Sequence, residues 1–153
     1  MAKNQELVSL ADGLHSATIH LLRLVRTEDR AAGIGPAQLS ALSVLVFGGS
    51  MSLRRLAAIE QVKPPTMVRI VHGLVERQLA ISRADPFDAR KINISPTRQG
   101  RVLIRRARVR RVQALVEMLA WRPNAELDQL RAVVEILESL ISAANESTRS
   151  LTE

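Results

Sequence analysis

Apolar side chains recur along this chain at helical spacing. Leu7, Ala11, Leu14, Thr18, Leu21 and Val25 alternate steps of four and three, which predicts one amphipathic helix over about residues 5–30. Gly33 and Gly35 end it. Pro36 suits a first helical position and Gly48 a C-terminal cap, bracketing a second helix with Leu39, Leu42 and Leu45 inside. Ser52 suits the N-cap of a third, short helix, with Met51 before it and Leu56 placed to close a hydrophobic staple. Its inward positions are Leu53, Leu56 and Ala57. Gln61, Val62 and Lys63 form a break, because Pro64 and Pro65 disfavour the α region for the residues before them. A fourth helix is expected from about Pro65 to Gln78. Its packed side carries Met67, Ile70, Val71, Leu74 and Val75, which leaves Thr66, Arg69, His72, Gly73 and Glu76 facing outward.

Between residues 80 and 95 the period changes to two. A short run at Ile81 to Arg83, a polar turn from Asp85 to Arg90, and Ile92 and Ile94 among polar neighbours predict a small β-hairpin. Pro96 is placed as the opening of a long fifth helix to about Arg122, with Val109, Val112, Val116 and Leu119 on one face, and Pro123 breaks it. The last helix carries Leu127, Leu130, Val134, Leu137, Ile141 and Ala144 at alternating threes and fours, before a polar tail from Asn145. The expected fold is mainly α, in the order helix, helix, helix, helix, two strands, helix, helix. Residues 36–100 form a central lobe, and residues 1–35 and 101–153 supply helices with long apolar seams that need a partner. All are parts of one structural domain.

Composition narrows the function. A chain of 153 residues can bury roughly 68–70 % of its unfolded surface in one core. Only Phe47, Phe87 and Trp121 are aromatic, so aliphatic helix-on-helix packing must supply that core. Lys and Arg outnumber Asp and Glu 22 to 15, a net charge of +7, which favours a polyanionic partner, nucleic acid before membrane surface. There is no cysteine, which excludes disulfides, thiolate metal sites and a thiol redox sensor. His15, His20 and His72 are too scattered for a metal site. No nucleophile and base pair and no glycine-rich phosphate loop is present, so neither catalysis nor a cofactor is expected. No run approaches 18 apolar residues and the N-terminal residues lack an apolar signal core, which leads to the expectation of a cytoplasmic protein with no membrane partner.

Two short helices joined by a three-residue turn and followed by a two-stranded wing describe a winged helix-turn-helix, in which the second helix reads base edges in the major groove. The stretch LVERQLAISRADPFDARKINISPTRQGR, Leu74 to Arg101, resembles the recognition-helix end, wing and fifth-helix start of MarR-family regulators through Leu79, Arg83, Asp85, Pro86, Asp88, Arg90, Thr97 and Gly100. Upstream, Pro36, Gln38 and Leu42 resemble the family's second helix, and Val62, Pro64, Pro65, Thr66 and Arg69 its turn and recognition helix. The likeness runs from about Leu7 to Ala144. Three departures stand out. Gln78 replaces the usual glycine, so the recognition helix should cap itself differently. Pro96 replaces the customary leucine before Thr97, and Lys63 replaces a small hydroxyl residue.

The resemblance implies that Arg90 enters the minor groove with Asp88 holding its guanidinium, in keeping with the pull of narrow minor grooves on arginine. On the recognition helix Lys63, Pro65, Thr66, Arg69 and His72 are the DNA-binding candidates, with Arg69 and Thr66 for bases and Lys63 for phosphate. On the wing they are Arg83, Asp88, Arg90 and Lys91, and Arg54 and Arg55 are further backbone candidates. Leu7, Leu14, Leu21, Val116, Leu119, Leu127, Val134, Leu137 and Ile141 are expected to dimerise the chain, so that two lobes address a pseudo-palindromic operator on double-stranded DNA. By the same resemblance, the protein represses a promoter and is released by a small organic anion, with Arg101 and Arg105 bordering the ligand. A plainer reading stands beside each candidate: a solvated turn arginine for Arg90, a surface salt bridge for Arg69, and a solvated face for the arginines of the fifth helix. For the whole chain, the rivals are a low-specificity architectural DNA-binding protein and a protein-interaction module.

Overall fold

The computed structural model describes residues 2–84 and 92–150. Among them the elements run α1 (Ala2–Arg26), a 3-10 turn (Thr27–Ala32), α2 (Pro36–Gly48), β1 (Met51–Ser52), α3 (Leu53–Ile59), α4 (Pro64–Glu76), β2 (Ala80–Ala84), β3 (Ile92–Pro96), α5 (Arg98–Leu119) and α6 (Asn124–Ser150). The chain divides within α5 into two compact units, residues 1–114 and 115–153.

The first unit is built around α2. Pro36 takes the first helical position, and Gln38 Oε1 accepts from the Gly35 amide at 3.3 Å, so the helix start is satisfied from within. Leu39, Ala41, Leu42 and Leu45 are buried, and around them pack Leu56 and Ala57 of α3, Met67, Val71 and Leu74 of α4, Ile94 of β3 and Ile104 and Ala107 of α5. No charged or polar residue is buried among those described. Aliphatic side chains alone make this core. The Ser52 hydroxyl caps α3 by accepting from the Arg55 amide at 3.2 Å, and Met51 and Leu56 are both buried beside it.

Several boundaries differ from the sequence reading. The first helix gives way to the 3-10 turn after Arg26, and Gly33, left-handed at φ 71°, closes that turn. Gly48 lies inside α2 and Gly49 (φ 80°) is the cap. Met51 and Ser52 pair with Ile94 and Asn93, so the sheet has a third short strand and the order β1–β3–β2. Pro64 rather than Pro65 opens α4, since Lys63 already supplies the extended residue that a proline needs before it (ψ 144°). Pro96 does not open the fifth helix; it is buried as the last residue of β3, opposite Ala80. Thr97 caps α5 instead, its hydroxyl accepting from the Gly100 amide at 3.0 Å.

Both helix-turn-helix elements end in the same way. After α4, the Gln78 amide donates to Val75 O at 2.8 Å and the Leu79 amide to Leu74 O at 2.9 Å, with Gln78 left-handed at φ 57°. After α3, the Gln61 amide donates to Ala58 O and the Val62 amide to Ala57 O, with Gln61 at φ 53°. These are paired Schellman closures, in which a residue in the left-handed region lets two orphan carbonyls find donors. The expectation that Gln78 would force a different cap is thus corrected: glutamine takes up the conformation that glycine would.

In the second unit, α5 ends at Leu119, three residues short of the expected Arg122. The amides of Glu126 and Leu127 donate to Pro123 O, which starts α6. Arg122, just before that helix, pairs with Glu126 (3.6 Å), and Arg131 pairs with Asp128 (2.7 Å) on it. Among the described residues no single helix is long and apolar enough to cross a membrane.

Candidate nucleic-acid interface

The helix α4 is held by one side. Met67, Val71 and Leu74 are buried, Ile70 is half-buried, and the turn before it returns the chain sharply because Gln61 is left-handed. The opposite side is open: Pro65, Arg69, His72 and Glu76 are exposed and Thr66 is half-buried. His72 Nδ1 and Glu76 Oε2 lie 3.5 Å apart, one turn along this face. Lys63 stands exposed at the N-cap, where its ammonium, having no acceptor to offer a helix amide, can reach outward. Pro64 and Pro65 carry no N–H, and the Thr66 and Met67 amides both donate to Lys63 O (2.9 and 3.2 Å), so the positive charge at this end of α4 is that of Lys63 itself.

Two assignments on this helix are corrected. Val75, placed on the packed side, is 37 % exposed. Gly73, placed outward, packs against α2, since a Cβ there would run into Nε2 of Gln38. Sequence reasoning also passed over Val68, which is 51 % exposed on the open side. Its residue type pointed to the core, and only helical phase relative to Met67 and Val71 could have placed it outside.

Arg54 and Arg55 are exposed on α3. Arg83 is exposed on β2 opposite Asn93. The wing-tip candidates Asp88, Arg90 and Lys91 lie outside the described residues.

Leu7, Leu14 and Leu21 of α1 are 56 %, 41 % and 44 % exposed. Val116, Leu119, Val134 and Ile141 are exposed as well, and Leu127 and Leu137 are half-buried. The arginines of α5 fall into two groups. Arg110 Nε donates to Glu28 O at 3.4 Å, and Arg111 Nε lies 2.9 Å from Asp29 Oδ1, an ion pair without hydrogen-bond geometry whose two atoms are shielded from solvent. Arg98, Arg101, Arg105 and Arg108 are exposed. A cavity of about 360 Å³ lies where α1, α2 and α5 approach one another, lined by Leu22, Val25, Pro36, Leu39 and Ser43 among others. Its cations are Arg26 and Arg111; Arg101 and Arg105 do not line it.

This geometry is that of a winged helix-turn-helix. No protein-family profile matches the chain. The sequence is 32 % identical over 132 residues to the HTH-type transcriptional regulators Mb0904 of Mycobacterium bovis and ML2140 of Mycobacterium leprae, covering 86 % of this chain and 92 % of each relative. Among solved structures it is similar to a MarR family protein from Bacillus stearothermophilus (TM-score 0.77, 17 % identity, 91 % of this chain and 97 % of that one). S. aureus MepR, bound to an oligodeoxyribonucleotide, superposes with a TM-score of 0.67 at 18 % identity over 86 % of this chain and 97 % of its own. The chain belongs to the HTH-type transcriptional regulators with the MarR-family winged-helix fold. It is a DNA-binding regulator and not an enzyme.

Proposed function

We propose that the protein is a homodimeric repressor that occupies a pseudo-palindromic operator on double-stranded DNA through α4 and the wing. The observation that carries this reading is the open side of α4, where Pro65, Arg69 and His72 are exposed while Met67, Val71 and Leu74 anchor the helix from behind. A helix held in that way can enter a major groove without losing its own packing. Arg69 reads a base edge, Thr66 supports it from the margin of the face, and Lys63 with Arg54 and Arg55 contacts phosphates. Arg83, Asp88, Arg90 and Lys91 serve the wing, with Arg90 in the minor groove.

The exposed seams support the dimer. Leucines at 7, 14 and 21, and apolar residues at 127, 134, 137 and 141, cover more surface than single scattered residues would. Burying them against a second copy brings two recognition helices to one face, so half-sites should recur about one helical turn apart. Selecting bound fragments from a random DNA pool tests this. A two-fold site with that spacing is expected, and recovery of single, unrepeated half-sites would contradict it.

Release by a small anionic aromatic ligand belongs to the same proposal. The cavity between α1, α2 and α5 has apolar walls and two guanidinium groups, of which Arg111 is held by Asp29 at 2.9 Å, so Arg26 is the one left to pair the carboxylate of a buried ring. Arg26 takes the ligand-pairing role in this cavity, which Arg101 and Arg105 do not line. A ligand acts there only by binding the released form better than the DNA-bound form. Titrating an aromatic carboxylate and its neutral amide into the DNA complex separates charge pairing from simple burial: only the acid should release DNA.

A further inference from the structure

The open side of α4 is divided lengthwise. At 100° per residue, Pro65, Arg69, His72 and Glu76 fall along one edge, and Pro64, Val68 and Val75 along the other. Val68 lies in the middle of the apolar edge, half its surface in contact with water, and it is not among the apolar side chains that pack against the core. An exposed, β-branched residue in a helix interior is unfavourable twice in the free protein, through restricted χ1 and through exposed apolar surface. Both neighbours of this strip are polar or cationic: Arg69 follows Val68 directly and His72 stands one turn on.

An apolar group on the face of a recognition helix has one specific counterpart in duplex DNA. Of the groups that base pairs present in the major groove, the C5-methyl of thymine is the one apolar group that projects; cytosine carries only a hydrogen there, and the other groups read are hydrogen-bond donors and acceptors. We propose that Val68 is a specificity-determining residue that reads a thymine methyl, one in each half-site, beside the base contacted by Arg69. The proposal rests on α4 being the DNA-reading helix, and it adds a second, non-polar element to the code. Contact with thymine removes both apolar surfaces from water, whereas cytosine at that position would set a ring hydrogen and an amino group against the valine.

The test crosses a protein change with a DNA change. Sites are first selected from a random pool with the full chain. Each thymine of the recovered half-site is then replaced in turn by deoxyuridine, which lacks only the methyl, and affinities are measured for the native protein, Val68→Ala and Val68→Thr. One thymine per half-site should show methyl dependence of about fourfold with the native protein, roughly fifteenfold when both half-sites are changed together. With Val68→Ala the dependence at that thymine should vanish, and Val68→Thr, which keeps one methyl, should fall between. Val68 is exposed and alanine is the better helix former, so Val68→Ala should unfold at the same temperature as the native chain or slightly above it. Equal methyl dependence in native and Val68→Ala proteins, or none at any thymine of a specific site, overturns the role of Val68 while leaving α4 as the reading helix. A change in oligomeric state with no change in methyl dependence overturns it in favour of a contact between copies. Recovery of no preferred sequence overturns the recognition-helix reading itself, and this proposal with it.

Discussion

The Thr97 hydroxyl donates to the Gln78 carbonyl at 2.7 Å and accepts from the Gly100 amide at 3.0 Å. One side chain therefore ties the end of α4 to the start of α5, and the Thr97 amide adds a third link to Leu79 O at 3.0 Å. Thr97→Ala should destabilise the protein by about 1–2 kcal/mol, through loss of a helix cap and of a hydrogen bond. Thr97→Ser, which keeps the hydroxyl, should lose less than half of that. Denaturant unfolding of the two variants checks it, and equal losses would show that the methyl, not the hydroxyl, matters.

Gly100 sits under this tie. A Cβ there would collide with Leu79 O and stand 3.1 Å from Leu42 Cδ1. Backbone offers no rotamer through which to escape, so Gly100→Ala should cost about 1–3 kcal/mol or more, comparable with overpacking a core. Circular dichroism melting is the readout, and a melting temperature equal to the native one would contradict the packing described.

Gln61 and Gln78 both occupy the left-handed region, at φ 53° and φ 57°. A residue with a Cβ is disfavoured there by roughly 1–2 kcal/mol, and the entropy of glycine in the unfolded chain offsets part of the gain from removing it. Gln61→Gly and Gln78→Gly should each stabilise the protein by about 0.5–1 kcal/mol, additively, because each closes its own helix. Destabilisation by either would mean that the glutamine side chain supports the turn in solution.

The dimer is addressed by charge insertion. Leu14→Asp on α1 and Ile141→Asp on α6 each place a carboxylate on an exposed seam without touching a buried core residue. Sedimentation should shift from dimer to monomer, with operator affinity falling and helical content retained wherever the monomer folds. A native protein that sediments as a monomer at micromolar concentration would exclude the dimer outright.

Much of this architecture was legible because prolines and small polar residues punctuate it. Pro36 marked the start of α2, Ser52 the cap of α3, and the proline pair the three-residue turn. What was not legible depended on contacts far apart in sequence. Pro96 looked like a helix opener, and only its pairing with Ala80 makes it the end of a strand. Met51 and Ser52 are too few to show a period, so β1 exists only through its partners on β3. Gly73 looked outward by phase because the close approach of Gln38 comes from another helix. The two glutamine caps were hidden because glutamine carries no local signal for the left-handed region. In the site, Arg69 and His72 followed from helical phase, whereas the cavity cations Arg26 and Arg111 are brought together by the packing of three helices.

The central claim is that this chain recognises DNA sequence through α4 rather than coating DNA through its charge. The most direct measurement is the affinity ratio between a selected site and a shuffled duplex of the same composition, followed from 50 to 200 mM salt. A ratio of about 10³ or more is expected at physiological salt, with both affinities falling steeply as roughly 6–10 phosphate contacts lose their counterion advantage. Arg69→Ala should lower the ratio, whereas Lys63→Ala should weaken both duplexes alike. A ratio near one across that salt range, unchanged by Arg69→Ala, would contradict sequence recognition and leave a DNA-coating protein in its place.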